Sequence, residues 1–269
     1  TDAILTRAIL TVANMTVAIL TDAILTRAIL RRAILTRAIL TGAILTGANM
    51  TGANMTYADM TGAILTGANM TGAILTDAIL TRAILTVANM TVANMTGANM
   101  TRAILTRAIL RRADMTGAIL TGANMTGANM TGANMTGADM TYADMTGADM
   151  TGAIMTGARF SFPIPVVQDI DRAVLDAINA PRNRLNMREW HTCETTHCRA
   201  GWAIVLAGKA GAELEDRFGP SVAGALIYAA SRPGVPVPDF YASDEEAMDD
   251  LEACAAQASD CPTETPKEQ

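Results

Sequence analysis

The chain has 269 residues and a formal net charge of −6, with half of its residues hydrophobic but only 4% aromatic. No apolar run approaches the roughly 20 residues of a membrane span, and no basic stretch leading into an apolar core marks a secretion signal. Four cysteines are too few for a disulfide framework, so a cytoplasmic protein without a membrane partner is expected.

From Thr1 the chain runs in pentads as far as Phe160, 32 of them. "TDAILTRAIL" is the opening pair. The third position is always Ala. The fifth is Leu or Met except at Phe160, and the first is Thr except at Arg31 and Arg111. The fourth is Ile, Asn or Asp except at Arg159, and the second varies among Gly, Arg, Val, Asp and Tyr. A period of five matches neither the helical 3.6 nor the strand 2. An unvarying small residue and an unvarying large apolar one fit an inward-facing pair, and a freely varying position fits the solvent side. Thr and Gly every few residues oppose a helix.

The pattern Ala-Asn-Met-Thr-Gly, as at Ala48 to Gly52, resembles the pentapeptide-repeat family. The resemblance implies an all-β solenoid, a right-handed quadrilateral β-helix with one pentad per side and about eight coils. Ala and Leu or Met then line the shaft. Stacked at the inter-strand spacing of about 4.8 Å, eight coils make a rod roughly 38 Å long. Some members of the family protect type II topoisomerases by imitating DNA, which takes a strongly negative surface. Residues 1–160 instead hold 11 Arg and 8 Asp. Eleven Arg without a Lys are too sparse for phosphate neutralisation, which argues against nucleic acid as a partner. Neither His nor Cys occurs in the repeats, so no catalysis is expected there.

The period stops at "RFSFPIPVV". Residues 161–260 are expected to form a small α-helical cap or accessory domain, and residues 261–269 a mobile tail. Residues 161–269 carry 9 basic and 18 acidic residues. Val167, Ile170, Val174 and Ile178 fall at helical spacing, and Pro181 ends that helix; it is expected to cover the last coil. Both histidines of the chain, His191 and His197, then lie beside Cys193 and Cys198 in "WHTCETTHCRAGW". Thiolate and imidazole together suit zinc, so these four are candidate metal ligands. Cys198 at a helix start is also a candidate reactive thiol. The bland alternative is a loop whose Cys and His pack internally. With "ALIYAASRPGVPVPDFYASDEEAMDDL", the segment resembles a tail on other bacterial and phage pentapeptide-repeat proteins, and that resemblance brings no activity with it. Ser243 and Glu246 stand at capping-box spacing before an acidic helix.

Sorted by side, one column of fourth positions reads Ile4, Ile24, Ile44, Ile64, Ile84 and Ile104 before turning polar at Asn124 and Asp144. Such an apolar ladder is expected to be a lateral contact between copies. Asp2, Asp22, Arg82 and Arg102 run beside it, and a two-fold axis near the middle would set each Asp opposite an Arg. The first coil is expected to be covered by another chain, or to follow a further segment. The function expected is therefore a non-enzymatic scaffold that binds protein, foremost its own copies, without a cofactor. The rival is a zinc-binding or thiol-dependent unit in residues 185–232 carried on the rod.

Overall fold

The structure is a computed structural model. It describes residues 3–181, 183–188, 191–193 and 196–258, with the side chains of residues 191–193, 196, 257 and 258 left aside. The chain divides into two compact units, one of Thr1–Pro163 with Pro233–Val237, the other of Ile164–Arg232 with Pro238–Gln269.

In the first unit every pentad makes one side of a square coil, and each fourth residue bridges in parallel to the residue 20 further on, from Ile4↔Ile24 to Asp139↔Arg159. Three backbone bonds per pentad join successive coils. Ile24 N donates to Ala3 O at 2.9 Å, Leu5 N to Ile24 O at 2.8 Å and Arg7 N to Thr26 O at 3.0 Å. The corner is a tight turn, with Ala8 N donating to Leu5 O at 3.0 Å. Its second-position residue takes a positive φ in every described pentad that has the turn, such as Arg7 at 59° and Gly47 at 64°. Positive φ at that place alone is the mark of a type II turn. The shaft is closed: Ala23 to Met140 at the third and fifth positions are almost fully buried. The apolar side chains of the first coil, Leu5, Leu10 and Met15, are only half-buried.

The last coil is completed by extended chain. Val237 O accepts from Gly152 N at 2.8 Å, and Val237 N donates to Ala153 O at 3.0 Å. These are the bonds that a ninth coil would supply at that place. Sequence periodicity pointed to the helix after Pro165 for such a role and did not single out Pro233–Val237.

The second unit holds helices α1 (Ile170–Asn179), α2 (Arg199–Leu206), α3 (Gly208–Phe218), α4 (Pro220–Ser231) and α5 (Asp244–Ala258). A small sheet of β1 (Arg184–Leu185), β2 (His191–Cys193) and β3 (Thr196–His197) runs in the order β1-β3-β2. Helix α1 starts later than the apolar spacing suggested. Asp169 is left-handed at φ 46°, and Val167 lies before the helix with its N donating to Ser231 Oγ at 2.9 Å. Val174 of α1 and Leu251 of α5 are both fully buried where these helices pack. Helices α2 and α4 approach closely at Gly224, where a Cβ would meet Ala200 Cβ at 2.5 Å. The capping box at the start of α5 is formed, with Ser243 N donating to Glu246 Oε2 at 2.9 Å and Glu246 N to Ser243 Oγ at 3.3 Å. The Ser243 N–H and hydroxyl hold the Glu246 carboxyl below its usual range. No helix among the described residues is long and apolar enough to cross a membrane.

Candidate functional site

The Ile column stands where the repeat placed it. Ile4, Ile24, Ile44, Ile64, Ile84 and Ile104 form one unbroken run of bridges, continued by Asn124 and Asp144. We call this side A, and sides B, C and D follow in chain order. On sides C and D, isolated Ile such as Ile34, Ile74, Ile79 and Ile119 stay 39–40% exposed. Within the column Ile24, Ile44, Ile64 and Ile84 are half-buried, shielded by one another above and below. The ends, Ile4 at 75% and Ile104 at 40%, are open.

What Ile displaces is a corner bond. Where the fourth residue is Asn or Asp, its Oδ1 caps the next turn: Asn49 accepts from Thr51 N at 3.1 Å and from Thr51 Oγ1 at 2.7 Å. Asp59 does the same for Thr61, at 2.9 and 2.6 Å. Ile cannot accept, so side A gives up these bonds over six coils in return for a flat apolar strip. Of the rim residues expected to pair between copies, Asp22, Arg82 and Arg102 are exposed on one edge of side A, and Asp2 lies outside the described residues.

The four candidate metal or thiol residues are drawn into one hairpin. Antiparallel pairing of β2 with β3 sets the His191 backbone opposite that of His197. The side chains of His191 and Cys193 lie outside the description. His197 is buried with its ring edge-on to Trp202, centroids 4.6 Å apart at 86°. Cys198 caps α2, its Sγ accepting from Gly201 N at 3.3 Å. Burial pushes the Cys198 thiol up, and the backbone N–H groups at the helix start offset only part of that. A nucleophilic thiol needs the reverse. Among the described residues no group of three or more His, Cys, Asp or Glu is arranged to hold a metal ion.

The most concentrated charge in the second unit lies elsewhere. Arg199, 1% exposed, donates Nη2 to Asp171 Oδ1 at 2.7 Å and Nε to the Tyr228 hydroxyl at 3.0 Å, and pairs through Nη1 with Asp250. Arg232 Nη1 takes the other oxygen of Asp171 at 2.8 Å. Burial alone would lower the Arg199 pKa, but the charge and hydrogen bonding of Tyr228, Asp250 and Asp171 outweigh it and raise it. Burial pushes Tyr228 up to about 12, against the opposing charge of Arg199. This network ties α1, α2, α4 and α5 together around one guanidinium. Its centre at Arg199, Asp171 and Tyr228 is buried, Asp250 stands at its solvent edge, and it offers no nucleophile.

Comparison with known proteins decides the family. The family model described as "Pentapeptide repeats" matches residues 1–37, 33–72, 53–91, 83–122 and 118–157. The chain belongs to the pentapeptide-repeat family. Its solenoid is thus a right-handed β-helix, as the pattern implied. Among solved structures it is similar to HetL, a pentapeptide-repeat protein involved in heterocyst differentiation regulation from the cyanobacterium Nostoc sp. strain PCC 7120. That likeness has 30% identity over 58% of this chain and 76% of that one, at a TM-score of 0.42. It is also similar to QnrB1, a plasmid-mediated fluoroquinolone resistance protein, with 15% identity over 60% of this chain and 85% of that one, at 0.31. A pentapeptide-repeat protein from the Arabidopsis thaliana thylakoid lumen matches with 28% identity over 51% and 77%, at 0.21. No curated protein matches the chain.

In this pentapeptide-repeat protein the buried Arg199 network escaped sequence reading. Arg199 sits inside "HCRAGW", where the His and Cys drew attention, and its partners are 28 to 51 residues away. One signal was available: Asp171 and Asp250 fall on helices beside otherwise apolar positions, where a carboxylate needs a cation.

Proposed function

We propose that this pentapeptide-repeat protein is a non-enzymatic scaffold that associates with a second copy of itself through side A. Proteins of the family are generally non-enzymatic. The single observation that supports self-association is the unbroken Ile4-to-Ile104 column, whose neighbours in the same fold position are Asn or Asp wherever the corner bond is kept. A second copy turned antiparallel about a two-fold axis in the contact plane meets the strip with its own strip. The same axis, placed between the coils of Ile44 and Ile64, sets Asp22 opposite Arg82 and Asp2 opposite Arg102. Rim pairs of this kind add register and orientation more than affinity.

The test is mass in solution by light scattering at about 1 M salt, where exposed charges act over only ~3 Å. The parent is expected to have the mass of two chains. Ile44→Asp with Ile64→Asp is expected to have the mass of one, with an unchanged β-sheet circular dichroism spectrum, because both side chains point away from the shaft. A parent with the mass of one chain refutes the reading. The rival, a zinc or thiol unit in residues 185–232, is separated by metal analysis: near-stoichiometric zinc that is lost in Cys193→Ser would establish it.

A further inference from the structure

Stacking the pentads sorts the arginines by side. Side B runs between the corner columns of Arg7 and Val12, and it gathers seven of the 11 Arg of the repeats. They fall in two bands. Arg27 stands on one rim and Arg31 and Arg32 on the other in the second coil, with Arg7 one coil before. Arg107, Arg111 and Arg112 repeat the arrangement in the sixth. All seven are exposed, and no ion pair joins any of them to another described residue. The side itself carries no acid before Asp149 in the last coil. Side D, opposite, holds Asp59 and Asp139 on its face and Asp22 and Asp77 on its rims, balanced there by Arg159, Arg37, Arg82 and Arg102. The excess positive charge of the repeat unit is therefore concentrated on side B, which the small net charge conceals.

The same chain carries a complementary surface. Helix α5 has six acids between Asp244 and Glu252 and no Lys or Arg. Three of the acids are engaged within their own unit: Asp244 accepts from Met187 N, Glu246 closes the capping box, and Asp250 pairs with Arg199. The other three, Glu245, Asp249 and Glu252, are exposed. Their spacing of i, i+4, i+7 places them in one stripe, opposite the buried Ala247, Leu251 and Ala255. The stripe is about 10 Å long at 1.5 Å per residue. The rims of side B are separated by three extended residues, also about 10 Å. A helix laid across the side would thus meet Arg27 near one end and Arg31 and Arg32 near the other. The two bands lie four coils apart, roughly 19 Å, enough for one helix of 10–12 Å diameter on each.

We infer that side B is a docking face for an acidic helix, and that the α5 stripe of a second copy of this chain is its occupant. The contact is head-to-tail: the face of one copy takes the helix of the next, so it builds open chains instead of closed pairs. It uses a side of the rod other than the Ile column. Arg suits it because the planar guanidinium grips a carboxylate with two hydrogen bonds.

The experiment uses the full chain carrying Ile44→Asp and Ile64→Asp, so that failure of the side A contact does not affect the outcome. Two further variants are made on it. In the basic-face variant, Arg27→Gly, Arg32→Gly, Arg107→Gly and Arg112→Gly install the residue that fills the same columns at Gly47 and Gly52. Arg31→Thr and Arg111→Thr restore the residue usual at their position. The acidic-stripe variant is Glu245→Gln, Asp249→Asn and Glu252→Gln. At about 0.1 M salt the background protein is expected to self-associate, weakening more than about tenfold towards 1 M. Each variant alone is expected to have the mass of one chain. Mixed, they are expected to give complexes of two chains, rising to three when the helix donor is in excess, because one variant supplies the helix and the other a face with two bands. A monomeric background protein, a mixture that stays monomeric, or persisting association in the acidic-stripe variant overturns the proposal. The last of these applies even if the basic-face variant fails to fold. Displacement of the helix by a short DNA duplex at equal concentration would reassign the face to nucleic acid.

Discussion

At the second position of each pentad a single residue must accept a left-handed backbone, and this chain does not always give it Gly. Val87 and Val92 stand there at φ 51° and 50°, where a β-branched side chain is strained by roughly 1–2 kcal/mol. Gly at the same place loses more freedom on folding, about 0.5–1 kcal/mol. Val92→Gly is therefore expected to stabilise the solenoid by up to about 1 kcal/mol, read as a raised denaturation midpoint. The sequence showed that this position varies. It did not show why, because variation from solvent exposure and variation under a positive φ look alike in one chain. At the fourth position the balance is between folding and contact. Ile64→Asn can restore the bond that Asn49 makes to its Thr, here to Thr66, and is expected to add about 1 kcal/mol to stability. The same change removes the middle of the apolar strip, so self-association should weaken while the denaturation midpoint rises. A substitution that weakened both would show that the column belongs to the fold and not to a contact.

Among the elements, the helices of the second unit meet around charge as well as apolar surface. Asp171 of α1 holds both Arg199 and Arg232. Asp171→Ala would leave the buried Arg199 short of a carboxylate, a change that costs about 3–5 kcal/mol in such pairs. The helical dichroism signal should then melt first while the β-sheet signal persists. Tyr228 gives the same network a pH dependence. Its folded pKa is raised to about 12 from an ordinary 10, so the folded state keeps the proton that the unfolded state gives up. Its contribution is whole below pH 10 and is lost as pH rises from there to about 12. Tyr228→Phe should flatten the fall of stability in that window. Periodicity announced α1 and the capping box announced α5, since each signal lies within a few residues. The Arg199 network was not legible, because its partners come from four elements and only the fold assembles them. The hairpin of β2 and β3 was hidden likewise, its strands being two and three residues long.

Taken whole, the molecule joins a structure of short-range order to one of long-range order. In the solenoid each coil touches only its neighbours, so disturbance at one end should not travel far. The eight coils were legible from Thr1 to Phe160 because the fold repeats its reason every five residues. Their termination was not, because Val237 reaches the last coil from 84 residues beyond Ala153. The chain thus leaves the solenoid, builds α1 to α4, and returns for Pro233–Val237 before α5. This return satisfies one donor and one acceptor that a terminal coil otherwise exposes to water. Val237→Pro deletes the N–H given to Ala153 O and leaves the carbonyl that accepts from Gly152 on a misplaced strand. Hydrogen exchange should locate the damage. The Gly152 amide is expected to lose its protection, followed by others of the last coil, whereas amides from Leu45 to Leu105 should exchange as in the parent. Val237→Ala keeps the N–H and is the control, expected to retain protection at Gly152. Loosening that spread through all eight coils would mean that the solenoid folds as one cooperative block and that its end is not independently secured.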